Sequence, residues 1–269
     1  MIKKNFILAL RSLMNHRKYA FINVFGLAIG LASFILITIW VQDELSYDNF
    51  HKDADNVHIV FRKENGKRIF SSSKLLAPTI KEELPEVIEA TCFMEFPEVF
   101  NSHIQYEEKS FVEKIAMADN QFFKVFSFPL LIGDPSTAFS DPNSVVITER
   151  ISQKYFGEEE ALGKTFSVTA FGQKKLLTVS GVMENIPHNS HIQSELILPI
   201  EFMNYFGAEW DVWGNYSVTT YIRTQDNISS TQLEEKILAC KEAHYPEENV
   251  SYSVLPITKI HLHTSNIEY

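Results

Sequence analysis

The first 41 residues contain no aspartate or glutamate, and the segment Tyr19–Val41 contains no charged side chain of either sign. This uncharged stretch of 23 residues is longer than the apolar core of a cleavable signal peptide, which is about 7–15 residues. A helix of that length reaches roughly 35 Å and crosses a hydrocarbon core of about 30 Å. We therefore expect an uncleaved transmembrane helix over 19–41.

The charges on the two sides of this helix differ in sign. The five charged residues before it are all basic, and acidic residues begin at Asp43 immediately after it. Positively charged flanks stay in the cytoplasm, so the N-terminus is expected there and the bulk of the chain outside the cytosol. The residues that set this topology are Lys3, Lys4, Arg11, Arg17 and Lys18.

Residues 1–18 form a basic leader with helical periodicity of its own. Ile2, Phe6, Leu10 and Leu13 fall on one side of a helix drawn at 100° per residue. This pattern predicts an amphipathic helix on the cytoplasmic leaflet, and the alternative is a leader that serves topology alone.

Small residues inside the apolar segment give it a candidate packing face. Gly26 and Gly30 are four residues apart, which lets another helix approach closely, and Asn23 adds an amide that prefers a protein neighbour to lipid. The alternative is that glycine is simply common in membrane helices.

The part of the chain after residue 41 is acidic and poor in cysteine. It carries 34 acidic and 19 basic residues, a formal charge of −15, which disfavours a nucleic-acid partner. Cys92 and Cys240 are the two cysteines of the chain. They are either a disulfide, which oxidation outside the cytosol permits, or two small buried hydrophobic residues.

Beyond the helix, short strands alternate with short helices, which predicts an α+β fold. The first block has a strand over 57–62, a turn at Asn65-Gly66, a helix over 75–83 with Pro78 in its first turn, and strands over 88–96, 99–105 and 109–117. The second block begins with a strand over 143–147, a helix over 148–156 that Gly157 ends, and a hairpin of 164–170 with 174–183. It continues with a strand over 217–223, a helix that a capping box of Ser229 and Gln232 begins and that runs to Lys241, and a strand over 251–255.

Motifs for catalysis are incomplete. Gly157 and Gly163-Lys164-Thr165 resemble a phosphate-binding loop, but five residues separate the glycines where four are required. The pairs His188/His191 and His261/His263 offer two ligands each, whereas zinc usually takes three or four, and a strand would place the second pair on one face without a metal. We therefore predict no enzyme activity, no cofactor and no metal site.

Several segments, in order along the chain, resemble ABC transporter permeases of the MacB/FtsX type. In the leader and apolar helix they are Ala9–Leu13, His16–Tyr19 and Phe21–Gly30. In the exported part they are Glu44–His51, Leu84–Val87, Phe122–Leu130, Gly133–Pro135, Asp141–Val146, Lys154–Gly157, Leu162–Thr165, Asn189–His191 and Ile260–His263.

This resemblance implies a permease subunit in the bacterial cytoplasmic (inner) membrane, with its bulk in the periplasm and a separate cytoplasmic ABC ATPase as partner. The basic residues of the leader, Lys3, Lys4, Arg11, Arg17 and Lys18, would then support contact with the ATPase side. It implies a porter-like α/β subdomain built from 44–124 and 215–269, with a mostly-β subdomain inserted over 125–214. ATP binding by the partner would move the periplasmic domain to export or extract a substrate. Further partners would be a second permease copy and a periplasmic protein, peptide or lipid-linked cargo.

Permeases of this type have four membrane helices, so we expect the second to follow Tyr269, in a longer protein of which this chain is a fragment, unless the chain is a natural truncation. The alternative function is a single-span, membrane-anchored periplasmic binding or sensor module. A reading frame that continues into further apolar spans would decide for the permease.

Overall fold

A computed structural model describes residues 14–64, 67–95, 102–170, 172–207, 210–246, 250–263 and 267–268. The chain divides into two compact units, Met1–Ser46 and Tyr47–Tyr269.

The first unit contains one long helix, α1 (Arg17–Glu44), with none of its side chains buried. Its 28 residues reach about 42 Å at about 1.5 Å per residue, more than a bilayer core requires. The helix predicted over 19–41 is thus confirmed and is long and apolar enough to span a membrane. The N-terminal leader up to residue 13 lies outside the described residues.

The second unit contains short helices and many strands. The helices are α2 (Leu76–Glu83), α3 (Phe122–Val125), α4 (Glu149–Phe156), α5 (Ser230–His244) and α6 (Ile260–His263), with 3₁₀ turns at Ala54–Asn56, Ile200–Phe206 and Ile257–Lys259. The strands are β1 (Val57–Glu64), β2 (Lys67–Ile69), β3 (Ser72–Ser73), β4 (Val87–Glu95), β5 (Ser102–Tyr106), β6 (Lys109–Glu113), β7 (Ile115–Ala118), β8 (Leu130–Gly133), β9 (Ser144–Thr148), β10 (Thr165–Ala170), β11 (Gln173–Met183), β12 (Leu196–Pro199), β13 (Tyr216–Thr224), β14 (Ser251–Pro256) and β15 (Ile267–Glu268).

The described strands join into one mixed sheet, so the predicted α+β class is confirmed. Its order is β15-β2-β1-β13-β4-β7-β12-β9-β11-β10-β5-β6, with β14 on β1, β3 on β13 and β8 on β11. Most neighbours are antiparallel, and the parallel pairs are β9 with β11, β7 with β12 and β2 with β15. The predicted division into 44–124 with 215–269 and 125–214 stays a prediction.

The sheet is buried on both faces, because successive side chains of its central strands enter different cores. In β1, Val60 joins one cluster while Ile59 and Phe61 join the other. The first cluster includes the helical residues Ile80, Tyr155 and Ile237. The second is rich in phenylalanine and includes Phe61, Phe93, Phe122, Phe126, Phe128 and Phe139. Full burial of each such side chain stabilises the fold by about 1.5–3 kcal/mol.

The predicted helices are present because their end signals are satisfied. Thr148 caps α4 by accepting a hydrogen bond from the N–H of Ile151, and Gly157 ends it with φ +66. Pro78 is the third residue of α2, where an interior hydrogen bond is not yet required.

Four local predictions differ from the structure or lie outside it. His261 and His263 belong to helix α6, not to a strand, because the chain turns after Pro256 and buries Ile260. Ser229 precedes α5 with extended backbone, but its side chain makes no capping bond, so the capping box is wrong. The strand predicted over 109–117 is two strands, since β6 pairs with β5 while β7 pairs with β4 and β12. Asn65-Gly66 lies outside the described residues.

Candidate functional site

A buried carboxylate lies four residues after the end of α1. Asp48 is fully buried and has a positive φ of 58°, which aspartate tolerates better than most residues. Its N–H donates to the carbonyl of Asn189 at 2.8 Å. Its Oδ1 accepts from the N–H of His191 at 3.1 Å and from the Ser190 hydroxyl at 3.3 Å. The chain just after the helix is therefore joined to the segment 189–191.

The imidazole of His191 extends this contact into the sheet. Its Nδ1 lies 2.9 Å from Oδ2 of Asp48, at ion-pair distance but without hydrogen-bond alignment. Its Nε2 lies 3.0 Å from the hydroxyl of Tyr221 on β13. The ring thus links a carboxylate from one segment to a phenol from the central sheet.

His51 forms the second histidine of this region. Its backbone N–H donates to the carbonyl of Asp48 at 3.3 Å, and its Nδ1 accepts from the N–H of Ser127 at 3.1 Å. The ring packs against Phe126 and Phe128. Burial among these groups lowers the pKa of His51 to about 4, although the nearby Asp48 carboxylate opposes that change. His51 is therefore neutral at physiological pH, with its proton on Nε2.

We call Asp48, His51, Ser190, His191 and Tyr221 the Asp48 network. Its members come from the segment after α1, from the loop before β12 and from β13. Hydrogen bonds to a buried charge contribute about 1.5–3 kcal/mol each, because leaving the charge unpaired is costly. The network therefore anchors the first residues of the second unit to the middle of its sheet.

A cavity of about 140 Å³ adjoins the network. Its apolar wall includes Ile59, Phe70 and Phe93, and its polar groups include Glu95, His191 and Tyr221. Its volume is close to that of an engineered apolar cavity of about 150 Å³ that holds one benzene ring. The space can accept a single aromatic or branched aliphatic group.

A wider depression of about 470 Å³ lies beside α2 and is lined by several charged side chains. Asp119 lines it and accepts hydrogen bonds from the Thr91 hydroxyl, the Cys92 N–H and the Gln121 N–H, at 2.6, 3.0 and 2.9 Å. Burial raises the pKa of Asp119, and these hydrogen bonds oppose the rise. Lys74 and Lys81 line the same depression, and each forms an ion pair with a neighbouring carboxylate.

The two cysteines are poor nucleophiles. Both are free and buried, which answers the question of a disulfide in favour of two small core residues. Burial raises the pKa of both thiols, to about 12 for Cys240, where the Glu83 carboxylate adds to the rise. A protonated thiol is not the reactive form. Within the described ranges, no three His, Cys, Asp or Glu side chains are grouped to hold a metal ion.

The residues predicted to act in the membrane lie on α1. Asn23, Gly26 and Gly30 are exposed on this helix, and a Cβ added at either glycine would meet nothing within 4 Å. Arg17 and Lys18 form the start of the helix. Lys3, Lys4 and Arg11 lie outside the described residues.

The sequence indicates two of the segments that form the Asp48 network, but not that these segments lie in contact. The family resemblance includes the segments Glu44–His51 and Asn189–His191. The sequence otherwise presents His191 only as one of two possible metal ligands, with His188. Tyr221 carried no signal, since an alternating strand uses tyrosine for packing alone. The one sequence feature that points to the network is that both of these polar segments contain a histidine.

Comparison with solved structures finds similar domains. A domain assigned to a permease protein from Porphyromonas gingivalis has 29% identity and a TM-score of 0.66, over 77% of this chain and 92% of that one. The periplasmic region of MacB from Actinobacillus actinomycetemcomitans has 18% identity and a TM-score of 0.56, over 80% and 95%. The extracellular domain of the ABC-type transporter YknZ from Gram-positive bacteria has 16% identity and a TM-score of 0.55, over 74% and 100%.

No curated protein matches the chain. The family model of the MacB-like periplasmic core domain matches residues 20–239, which include most of α1 and the sheet up to α5. That match covers more than half of the sequence and agrees in fold with the permease and transporter domains above. The chain therefore belongs to the family of the MacB-like periplasmic core domain, found in permeases of the MacB/FtsX type.

Proposed function

We propose that this chain is the N-terminal part of a permease subunit that couples a cytoplasmic ABC ATPase to movement of its periplasmic domain, for export or extraction of a substrate. The family and the apolar helix α1 support a membrane-bound transporter component. The observation that carries the coupling is the Asp48 network. Only Leu45, Ser46 and Tyr47 separate the end of α1 from the buried Asp48.

Such a short connection favours transmission of movement along the chain. A displacement of the helix end would act on Asp48 and, through His191 and Tyr221, on β13 in the sheet. A long flexible linker would instead absorb the displacement, since its end-to-end distance fluctuates.

The orientation belongs to the same proposal. The five basic residues before α1 and the acidic residues after it support a cytoplasmic N-terminus and a periplasmic second unit in the inner membrane. Leu176→Cys places a thiol at an exposed strand position. In intact spheroplasts a membrane-impermeant maleimide should label it, while a cysteine in place of Ser12 should react only after lysis.

The test of coupling is purification of the native, full-length gene product from mild detergent, with mass spectrometry of what travels with it. The proposal expects an ABC ATPase in the purified complex. An otherwise intact preparation containing no ATPase would overturn it and would favour the alternative, an anchored binding or sensor module.

A variant separates coupling from assembly. Asp48→Ala should still recover the ATPase, because the change lies outside the cytoplasm, but should lower transport-dependent ATP hydrolysis in the complex. Asp55→Ala is the matched control, since Asp55 is exposed nearby. Equal activity of the two variants would remove the Asp48 network from the mechanism.

A further inference from the structure

The cavity beside the Asp48 network is enclosed by side chains of the core. Ile59, Phe93 and Ile260 are buried members of the phenylalanine-rich cluster, and each borders the open space of about 140 Å³. Protein interiors are packed nearly as densely as organic crystals, and a gap loses dispersion contacts along its whole lining. A space of this size within the core is therefore a candidate binding site.

Several walls of the cavity are held in place by contacts of their own. Phe93 packs edge-to-face on Tyr221, with ring centroids 6.4 Å apart. The Thr219 hydroxyl donates to the carbonyl of Phe70 at 2.8 Å, and the Tyr221 hydroxyl lies 3.0 Å from Nε2 of His191. A ligand that enters the cavity would not need to order these side chains, and this preorganisation favours its affinity.

A carboxylate stands at the opening of the cavity. Glu95 ends β4 and is the exposed member of the nine residues that line the space, so the cavity opens beside its side chain. Its Oε1 accepts from the Ser194 hydroxyl at 2.8 Å and from the N–H of Gln193 at 3.4 Å. Within the described ranges, Oε2 of Glu95 accepts no hydrogen bond. The carboxylate is thus positioned by one oxygen and presents the other to a ligand.

The charges around the opening favour a cation. None of the nine lining residues is a lysine or an arginine. The ring nitrogens of His191, which also lines the cavity, lie beside Asp48 and Tyr221, at 2.9 and 3.0 Å. The chain after residue 41 carries a formal charge of −15, so the wider surface does not oppose a cation. A primary ammonium group can donate a charge-assisted hydrogen bond to a carboxylate oxygen such as Oε2 of Glu95.

We propose that this cavity binds a small organic ammonium compound with one aromatic ring, placing the ring among Phe70, Phe93 and Ile260 and the ammonium group on Oε2 of Glu95. The volume is sufficient for one ring and not for two. The aromatic walls suit a ring because aromatic groups pack favourably edge-to-face or offset. The proposal goes beyond the transport function and does not depend on the ATPase.

Binding of a matched pair of compounds to the full chain in lipid nanodiscs tests the proposal. The probe is 2-(4-fluorophenyl)ethylamine, and its counterpart is 3-(4-fluorophenyl)propionate, which has a similar size and the opposite charge. Fluorine NMR titration should give saturable binding of the amine with a Kd of about 1 mM or tighter, as expected for a ligand of this size. The propionate should bind at least about tenfold more weakly. Nanodiscs without protein measure partition into lipid.

Two variants locate the ligand. Glu95→Gln keeps the size of the side chain and an oxygen acceptor for Ser194, but removes the charge, so the Kd of the amine should rise about tenfold. Glu184→Gln is the matched control, because it removes one exposed carboxylate that does not line the cavity, and it should leave the Kd unchanged. Ile260→Phe places a ring in the cavity and should abolish saturable binding, with circular dichroism to confirm the fold.

Absence of saturable binding to the unmodified chain would overturn the proposal. Equal affinities for the amine and the propionate would also overturn it, since Glu95 would then not select the charge. Equal losses in Glu95→Gln and Glu184→Gln would assign the binding to the overall acidic surface. Unchanged binding to folded Ile260→Phe would place the ligand outside the cavity. If Ile260→Phe does not fold, the comparison of the two glutamine variants still decides.

Discussion

Nδ1 of His191 lies 2.9 Å from Oδ2 of Asp48, although 142 residues separate them in sequence. Asp48 follows the membrane helix, and His191 precedes β12 in the middle of the sheet. This contact closes a long loop of chain at one point. Removal of this contact should therefore lower the stability of the second unit.

Asp48→Ala should lower the free energy of unfolding by about 3 kcal/mol, because it leaves the backbone N–H of His191 and the Ser190 hydroxyl without their acceptor and removes the carboxylate beside the imidazole. Urea unfolding of the full chain in detergent, followed by tryptophan fluorescence, measures the loss. Asp55→Ala at an exposed position should change it by less than about 0.5 kcal/mol. Equal losses for the two variants would contradict the network.

Stability should fall as the pH is lowered through the range in which His51 titrates. Its folded pKa of about 4 is below the ordinary value of 6.5, so between these values the unfolded state binds more protons than the folded state. Stability is then full above about pH 6.5, decreases toward pH 4, and changes by about 3 kcal/mol in total. Protonation would also break the bond from the Ser127 N–H to Nδ1.

Unfolding at a series of pH values measures this dependence. His51→Phe should flatten the curve between pH 6.5 and 4 and lower stability at pH 7, since Ser127 then lacks an acceptor. His103→Gln, at an exposed strand position, should leave the shape unchanged. An unaltered slope in His51→Phe would show that other groups, such as His58, whose pKa burial also lowers, cause the dependence.

Neither native cysteine should react with a thiol reagent while the protein is folded. Burial raises both thiol pKa values, to about 12 at Cys240, so the thiolate is scarce even at pH 8. A chromogenic disulfide reagent should detect no thiol in the native protein and two after denaturation. Leu176→Cys supplies a reactive positive control at an exposed site. Rapid reaction of the native protein would contradict the burial of these residues.

Replacing Gly26 and Gly30 together with leucine should disrupt assembly of the permease while the second unit stays folded. Both glycines are exposed on α1, and leucine would keep another helix from approaching closely. Blue native electrophoresis measures the assembly, and circular dichroism measures the fold. The double variant Ala28→Leu with Ala32→Leu is the control, because it adds comparable bulk two residues further along the helix. Unchanged assembly in the glycine variant would assign these positions to lipid.

Most elements could be predicted from the sequence because their signals are local. Thr148 and Gly157 bound α4, and the uncharged residues from Tyr19 to Val41 bound the membrane helix, so neither needs information from elsewhere in the chain. The histidines at 261 and 263 show the limit. Their alternation is typical of a strand, but the burial of Ile260 beyond Pro256 decides for a helix.

The candidate site could not be assembled from sequence for the same reason. Asp48, His191 and Tyr221 meet only through the pairing of distant strands, and no local pattern encodes that meeting. The positive φ of Asp48 is likewise imposed by its tertiary bonds. The strand order could not be predicted either, since β5 pairs with β10, and β6 lies beyond β5, rather than either strand pairing with β4.

Strand β12 is paired unequally with its two neighbours in the sheet, and this difference has a mechanical consequence. On one side its four residues pair with β7 throughout, whereas on the other only Leu196 and Ile197 pair with β9. Under a load that pulls β12 away from its neighbours, two residue pairs hold it to β9, whereas four hold it to β7. We therefore expect the pairing of β12 with β9 to open under such a load before the pairing of β12 with β7.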